Sequence, residues 1–147
     1  MNSSDGSEQA IVGLGYKQAV DNSASFDDLW KVFVMKVYHP DRFLPVTAVK
    51  TRDNADGSVY REMSLHGTVI IETIYLDKEK GEVRFVVLRP DGQESDLEHV
   101  NALYRGTPMQ IEYYQRKVGG ERVSWETPRK LVAAAIRKQL DLALQPG

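Results

Sequence analysis

The feature that most constrains this chain is the closeness of the turns between residues 46 and 117. Six runs carrying β-branched and aromatic residues occur there: Val46–Asp53, Val59–Leu65, Thr68–Asp77, Glu82–Arg89, Glu94–Tyr104 and Met109–Lys117. The breaks between them hold Asn54-Ala55-Asp56-Gly57, His66-Gly67, Lys78-Glu79-Lys80-Gly81, Pro90-Asp91-Gly92-Gln93 and Arg105-Gly106-Thr107-Pro108, all sets of turn residues. A parallel crossover needs about a dozen residues or more, so connections this short leave only antiparallel neighbours. The segment reads as a meander.

The flanks read differently. Ile11 to Val20 has the spacing of a first strand and is broken by Asp21 to Ser25. Phe26, Leu29, Trp30, Phe33, Val34 and Val37 then recur with helical period, one apolar stripe. Ser25 precedes the stripe with Asp28 three residues on, the pattern of a capped N-terminus. His39-Pro40 stops the helix, and Asp41 to Leu44 leaves room for one further helical turn. After the meander, Thr127-Pro128 opens a last helix with a face of Leu131, Val132, Ala135, Ile136, Gln139, Leu140 and Ala143. The order is α+β: strand, two short helices, six-strand meander, long C-terminal helix. A twisted antiparallel sheet must cover its apolar face, and the last helix is the late element able to do so. A curved seven-stranded sheet wrapped around that helix is the expected packing. Trp30 and Trp125 are expected in the core or at a cavity rim.

Composition limits the function classes. The 147 residues suit one domain, read as a flexible tail over 1–10 and a folded unit over 11–147. The net charge of −2 speaks against nucleic acid or an anionic membrane as partner, since both demand a basic surplus. There is no cysteine, which removes disulfides, thiolate metal sites and thiol nucleophiles. No apolar run approaches a membrane span, and the polar start lacks the features of a signal peptide, so the cytoplasm is the expected location. His39, His66 and His99 show no helical or short-range pairing, and no metal or cofactor is implied. His39 reads as a helix terminator, His66 as a turn residue and His99 as an outward surface residue. No G-x-S-x-G elbow or phosphate-binding glycine loop occurs.

The sheet faces follow from the turns. A two-residue His66-Gly67 loop pairs Met63 with Ile70, Arg61 with Glu72 and Val59 with Ile74 on one face. That face is apolar except near the turn and at the Arg61–Glu72 pair, so it is the inward one, where neither charge is stable without the other. Two readings stay open: a buried ion pair that satisfies itself, or a polar end to an apolar cavity, with Arg61 orienting a ligand oxygen. Continuing the face pairs Ile74 with Phe85 and Glu72 with Val87. An Asp91-Gly92 turn pairs Val83 with Val100 and Val87 with Asp96. The Arg105–Pro108 loop then pairs Ala102 with Ile111 and Val100 with Tyr113. Val100, Ala102, Glu98, Met109, Ile111 and Tyr113 are thereby expected inside. Val69, Ile71, Val86 and Leu88 fall outside, an apolar surface that would suit a homodimer.

The element order, with Leu29-Trp30, His39-Pro40-Asp41-Arg42-Phe43-Leu44-Pro45, Val59-Tyr60-Arg61-Glu62 and Val69-Ile70-Ile71-Glu72, resembles the START-like or birch-pollen-allergen superfamily. Within this helix-grip fold the AtaL-like family is the branch it resembles. The resemblance implies a cavity between sheet and C-terminal helix holding a lipid, steroid, polyketide or similar molecule. Some relatives are polyketide cyclases or lyases, and many only bind or carry.

The expected function is therefore binding of a small apolar or amphipathic molecule. The expected contacts are Trp30, Arg61, Met63, Ile70, Glu72, Phe85, Val87, Val100, Ile111, Tyr113 and Ala135, around a cavity of roughly 300–1,000 Å³. A polyketide cyclase or lyase with Arg61, Glu72 and Tyr113 as candidate catalytic groups is the alternative. An interaction module with a collapsed cavity is a second alternative.

Overall fold

A computed structural model describes residues 15–124 and 129–144. The expected tail, the start of the first strand, Trp125 and the Thr127-Pro128 cap lie outside these residues. The elements are β1 (Tyr16–Ala19), α1 (Phe26–Tyr38), a 3-10 turn (Pro40–Arg42), β2 (Val46–Asp53), β3 (Val59–Leu65) and β4 (Thr68–Asp77). They continue with β5 (Glu82–Leu88), β6 (Glu94–Tyr104), β7 (Gln110–Lys117), the two-residue β8 (Arg122–Val123) and α2 (Arg129–Leu142). The sheet runs β1-β7-β6-β5-β4-β3-β2 with every neighbour antiparallel, and β8 adds a short edge beside β7. This is an α+β helix-grip arrangement, a curved antiparallel sheet closed by helices on one face. Among the described residues no helix is long and apolar enough to cross a membrane.

The helix α1 starts where its cap dictates. The Asp28 amide donates to Ser25 Oγ at 3.0 Å and the Ser25 amide donates to Asp28 Oδ2 at 3.0 Å, a reciprocal box. It ends at His39, whose amide donates to Met35 O before Pro40 turns the chain. Leu29, Trp30, Phe33 and Val37 are buried against Ile74, Phe85, Leu103 and Ile111 of the sheet and Val132, Ile136 and Leu140 of α2. Both helices thus cover the inner face, whereas the sequence pattern assigned that task to the last helix alone. Leu131 departs from the expected buried face of α2 and is 60% exposed. Asn22 Nδ2 donates to Leu140 O at 2.9 Å and fastens the far end of α2 to the strand-helix connection.

The β3–β4 hairpin has the expected register, Arg61 opposite Glu72 and Met63 opposite Ile70. His66 and Gly67 both hold positive φ, 51° and 83°, as a two-residue hairpin turn with the twist of the strands requires. The β4–β5 pairing also agrees, with Ile74 opposite Phe85. The next hairpin does not. Its turn closes with the Arg89 amide donating to Gln93 O and the Gly92 amide to Arg89 O, and the ladder then shifts between Val86 and Leu88. Phe85 consequently faces His99, and Val83 faces Asn101.

A one-residue slip moves every side chain of a strand to the opposite face. Val100 and Ala102, expected inside, pack with Tyr104 and Tyr114 on the outer face. Glu98 is also outside. His99 and Asn101 point inward instead. Because β7 pairs with β6 through the same slip (Asn101 opposite Tyr113, Leu103 opposite Ile111), Ile111 and Tyr113 keep their inward positions.

Candidate functional site

The alternation of β3 and β4 sends Arg61 and Glu72 into the interior, where they are 3% and 7% exposed. Arg61 Nη2 lies 2.6 Å from Glu72 Oε1, and Nε donates to the same oxygen at 3.2 Å. Arg61 Nη1 donates to the main-chain oxygens of Lys36 and Val37, each at 3.0 Å. Those carbonyls belong to the last turn of α1, which has no further amides to receive and carries the negative end of the helix dipole. Arg61 is therefore both the partner of Glu72 and the C-terminal cap of α1. Its guanidinium is largely occupied by protein acceptors.

The position of α1 also sets Lys36. Its Nζ donates to Asn101 Oδ1 at 2.8 Å and to Tyr113 Oη at 3.2 Å, and stands 4.3 Å from the centre of the Tyr113 ring and 5.8 Å from that of Phe85. Among the described residues no carboxylate forms an ion pair with it. Burial pushes this ammonium down to about 7, helped by the nearby Arg61 charge and only partly opposed by Glu72. Tyr113 Oη in turn donates to Gln139 Oε1 of α2, and burial raises the phenol well above its usual range. Gln139 is 1% exposed and its Nε2 has no hydrogen-bond partner among the described residues. Burial also lowers the His99 imidazole, with Glu72 opposing and Lys36 assisting.

These groups end a hollow of about 290 Å³ between the sheet and the two helices. Its apolar walls are Phe43, Leu44, Met63, Phe85, Leu131, Val132 and Ala135, with Lys36, Arg61, Glu72, His99, Asn101 and Tyr113 as the polar lining. The volume sits at the lower edge of the range typical of small-ligand sites. Leu44 and Leu131, 40% and 60% exposed, stand at its rim.

The structure brings Arg61, Met63, Glu72, Phe85, Tyr113 and Ala135 of the expected contacts together around this hollow. Trp30 lies instead in the core, stacked on Phe26 and tilted against Phe33. Ile111 is fully buried in that same core. Val87 is 37% exposed near the end of β5, and Ile70 does not reach the hollow. Val100 is on the far side of the sheet, as the β6 register demands. Lys36, His99 and Asn101 escaped the sequence reading as site residues, whereas Gln139 was placed on the covering face of the last helix, where it is buried, without a role. A signal existed for Lys36: it falls three residues after Phe33 and seven after Leu29, on the buried stripe of α1.

The outer face holds charges too, but they are matched. Glu98, fully buried, accepts from Arg84 Nη1 at 2.7 Å and Arg116 Nε at 2.6 Å, and Glu112 accepts from Arg122 Nη1 at 2.7 Å. The hollow of about 460 Å³ beside Glu98 is lined mainly by such polar groups. Among the described residues no group of three His, Asp or Glu side chains is placed to hold a metal ion.

No family model matches the chain, and no curated protein matches it. Solved structures similar in chain course include three at low sequence identity. An uncharacterised protein from Bacillus thuringiensis has 12% identity over 87% of this chain and 94% of its own, with a TM-score of 0.49. The protein XoxI from Bacillus cereus has 12% identity over 88% and 92%, with a TM-score of 0.49. The Zhui aromatase/cyclase from Streptomyces sp. R1128 has 16% identity over 89% and 90%, with a TM-score of 0.45. At these identities no ligand or activity passes from them to this chain.

Proposed function

We propose that this protein binds a small apolar or amphipathic molecule bearing an oxygen function, held between the sheet and α2. The observation that carries this reading is one hollow with apolar walls and a single amine, Lys36, hydrogen-bonded to the neutral groups of Asn101 and Tyr113 and accompanied by the paired charges of Arg61 and Glu72. The ligand body would lie against Met63, Phe85, Val132 and Ala135, with its oxygen toward Lys36, Asn101 and Tyr113. Fixed polar groups in an apolar hollow are how small-molecule sites combine affinity with orientation. Arg61 and Glu72 serve this site by holding the end of α1, and through it Lys36. The resemblance to the AtaL-like family carried by Leu29-Trp30 and the His39–Pro45 segment supports the same reading. Catalysis of the polyketide cyclase or lyase type is a second reading, favoured by one observation: the Tyr113 hydroxyl lies 3.2 Å from the Lys36 amine, an acid-base pair inside an apolar site.

The test is native mass spectrometry of freshly purified protein, followed by titration with anilinonaphthalene sulfonate. A co-purifying small molecule and saturable binding are expected. In Ala135→Phe, which fills the hollow, binding should weaken at least about tenfold, equivalent to 1.4 kcal/mol, with an unchanged far-ultraviolet spectrum. Equal binding by that variant would place the probe elsewhere and remove the reading.

A further inference from the structure

We propose that Lys36 is a nucleophilic amine that captures an apolar aldehyde or ketone as a Schiff base. This deepens the binding reading above and rests on it. The geometry has three parts. The Lys36 Nζ reaches the hollow from α1 and is held by an amide oxygen and a phenol, acceptors that do not require the nitrogen to be charged. The one carboxylate lining the hollow, Glu72, is committed to Arg61 at 2.6 Å. The surrounding wall of Met63, Phe85, Val132 and Ala135 would hold the apolar body of a carbonyl compound.

The chemistry agrees with the placement. With its ammonium pushed down to about 7, Lys36 presents its lone pair at neutral pH. An ordinary lysine does so in about one molecule per thousand or fewer. The nitrogen pair attacks the carbonyl carbon, forming the C–N bond while the C=O π pair moves to oxygen. The proton lost by nitrogen reaches that oxygen through the Tyr113 hydroxyl, which gives one proton as it takes another. The carbinolamine then loses its hydroxyl as water, the nitrogen pair closing the C=N bond and the remaining nitrogen proton replacing the one that the hydroxyl takes up, so that amine and carbonyl become imine and water.

Tyr113 fits the relay because burial keeps it a neutral phenol. Gln139 Oε1 accepts the hydrogen bond of this phenol, and Gln139 Nε2 has no partner among the described residues. Turning that amide over would let it donate to Tyr113 Oη instead, freeing the phenol proton for the hollow.

The experiment incubates the full chain with naphthaldehyde and cyanoborohydride at neutral pH, then maps the reduced adduct by peptide mass spectrometry. Methylnaphthalene binding, followed by fluorescence, runs beside it. The expected result is trapping at Lys36 at least about tenfold faster than at exposed Lys31, with a pH profile rising through neutrality. Lys36→Met should lose this adduct and Lys31→Met should keep it. The comparison of Lys36 with Lys31 within the unmodified chain stands even if Lys36→Met does not fold. Methylnaphthalene binding with no preference for Lys36 overturns the covalent step and leaves the hollow as a binding site. Failure of both compounds to bind overturns the binding reading and the covalent step together.

Discussion

Removing Arg61 or Glu72 separately should be worse than removing both. In an environment of effective dielectric near 20, unit charges about 4 Å apart attract by about 4 kcal/mol. This pair is buried on both sides, so a single deletion leaves a charge that water cannot reach. Glu72→Leu should cost about 3 kcal/mol, at the lower end of the range for a broken buried pair, because Arg61 keeps the Lys36 and Val37 carbonyls. Arg61→Met should cost about 5 kcal/mol, since Glu72 loses its cation and the helix end loses its donor. The double variant leaves no stranded charge, only the two helix carbonyls, and should cost less than either single change, about 1–2 kcal/mol. The assay is equilibrium urea denaturation of the four proteins, analysed as a double-mutant cycle. Single variants within about 0.5 kcal/mol of wild type would show surface-pair energetics. A double variant costing the sum of the singles would refute the coupling itself.

The titration of Lys36 gives a second prediction. Its ammonium is held at about 7 in the fold and near its ordinary value when unfolded, so the unfolded chain binds more protons between them. Stability should therefore rise with pH from about 7 to 10, by at most about 1.4 kcal/mol per pH unit, and Lys36→Met should abolish the rise. Of the other groups facing Lys36, His99 is lowered and titrates on the acid side of this window, and Tyr113 is raised and titrates above it. Urea midpoints across that range check the slope. At Gly81, φ is +71° and an added Cβ would run into the Leu103 carbonyl, so Gly81→Ala should cost about 3 kcal/mol or more by the same measurement. Glu98→Gln on the outer face should cost about 1.5–3 kcal/mol through its bonds to Arg84 and Arg116, and leave probe binding in the hollow unchanged.

The strand limits were legible because each turn carries its own residues, and the β3–β4 register because His66-Gly67 admits one hairpin geometry. The β6 register was not. Asp91-Gly92 reads as a two-residue turn, yet the chain closes one residue earlier, around Pro90, and then absorbs extra length beside Val87. The sequence did carry marks of it: Pro90 suits the second position of a turn closed between Arg89 and Gly92, and the two-residue reading put the carboxylates of Asp96 and Glu98 on an apolar face. The cost fell on the site: His99 and Asn101 were assigned to the surface side and Val100 to the ligand. Lys36 was hidden for another reason. A lysine near the end of an amphipathic helix ordinarily reads as a solvated charge, and that habit outweighed the spacing from Leu29 and Phe33 that puts this one on the inward stripe of α1.

Lys36 is tied to the sheet twice, by its main-chain oxygen to Arg61 and by its side chain to Asn101 and Tyr113. The two ties are independent. A ligand that takes over the amine leaves the guanidinium clasp on the helix end in place, so the wall of the hollow need not move when its chemistry is exchanged. Occupied and empty forms should then superimpose along the α1 backbone, with the exchange confined to a few terminal atoms, and affinity would be set without the cost of reordering the chain.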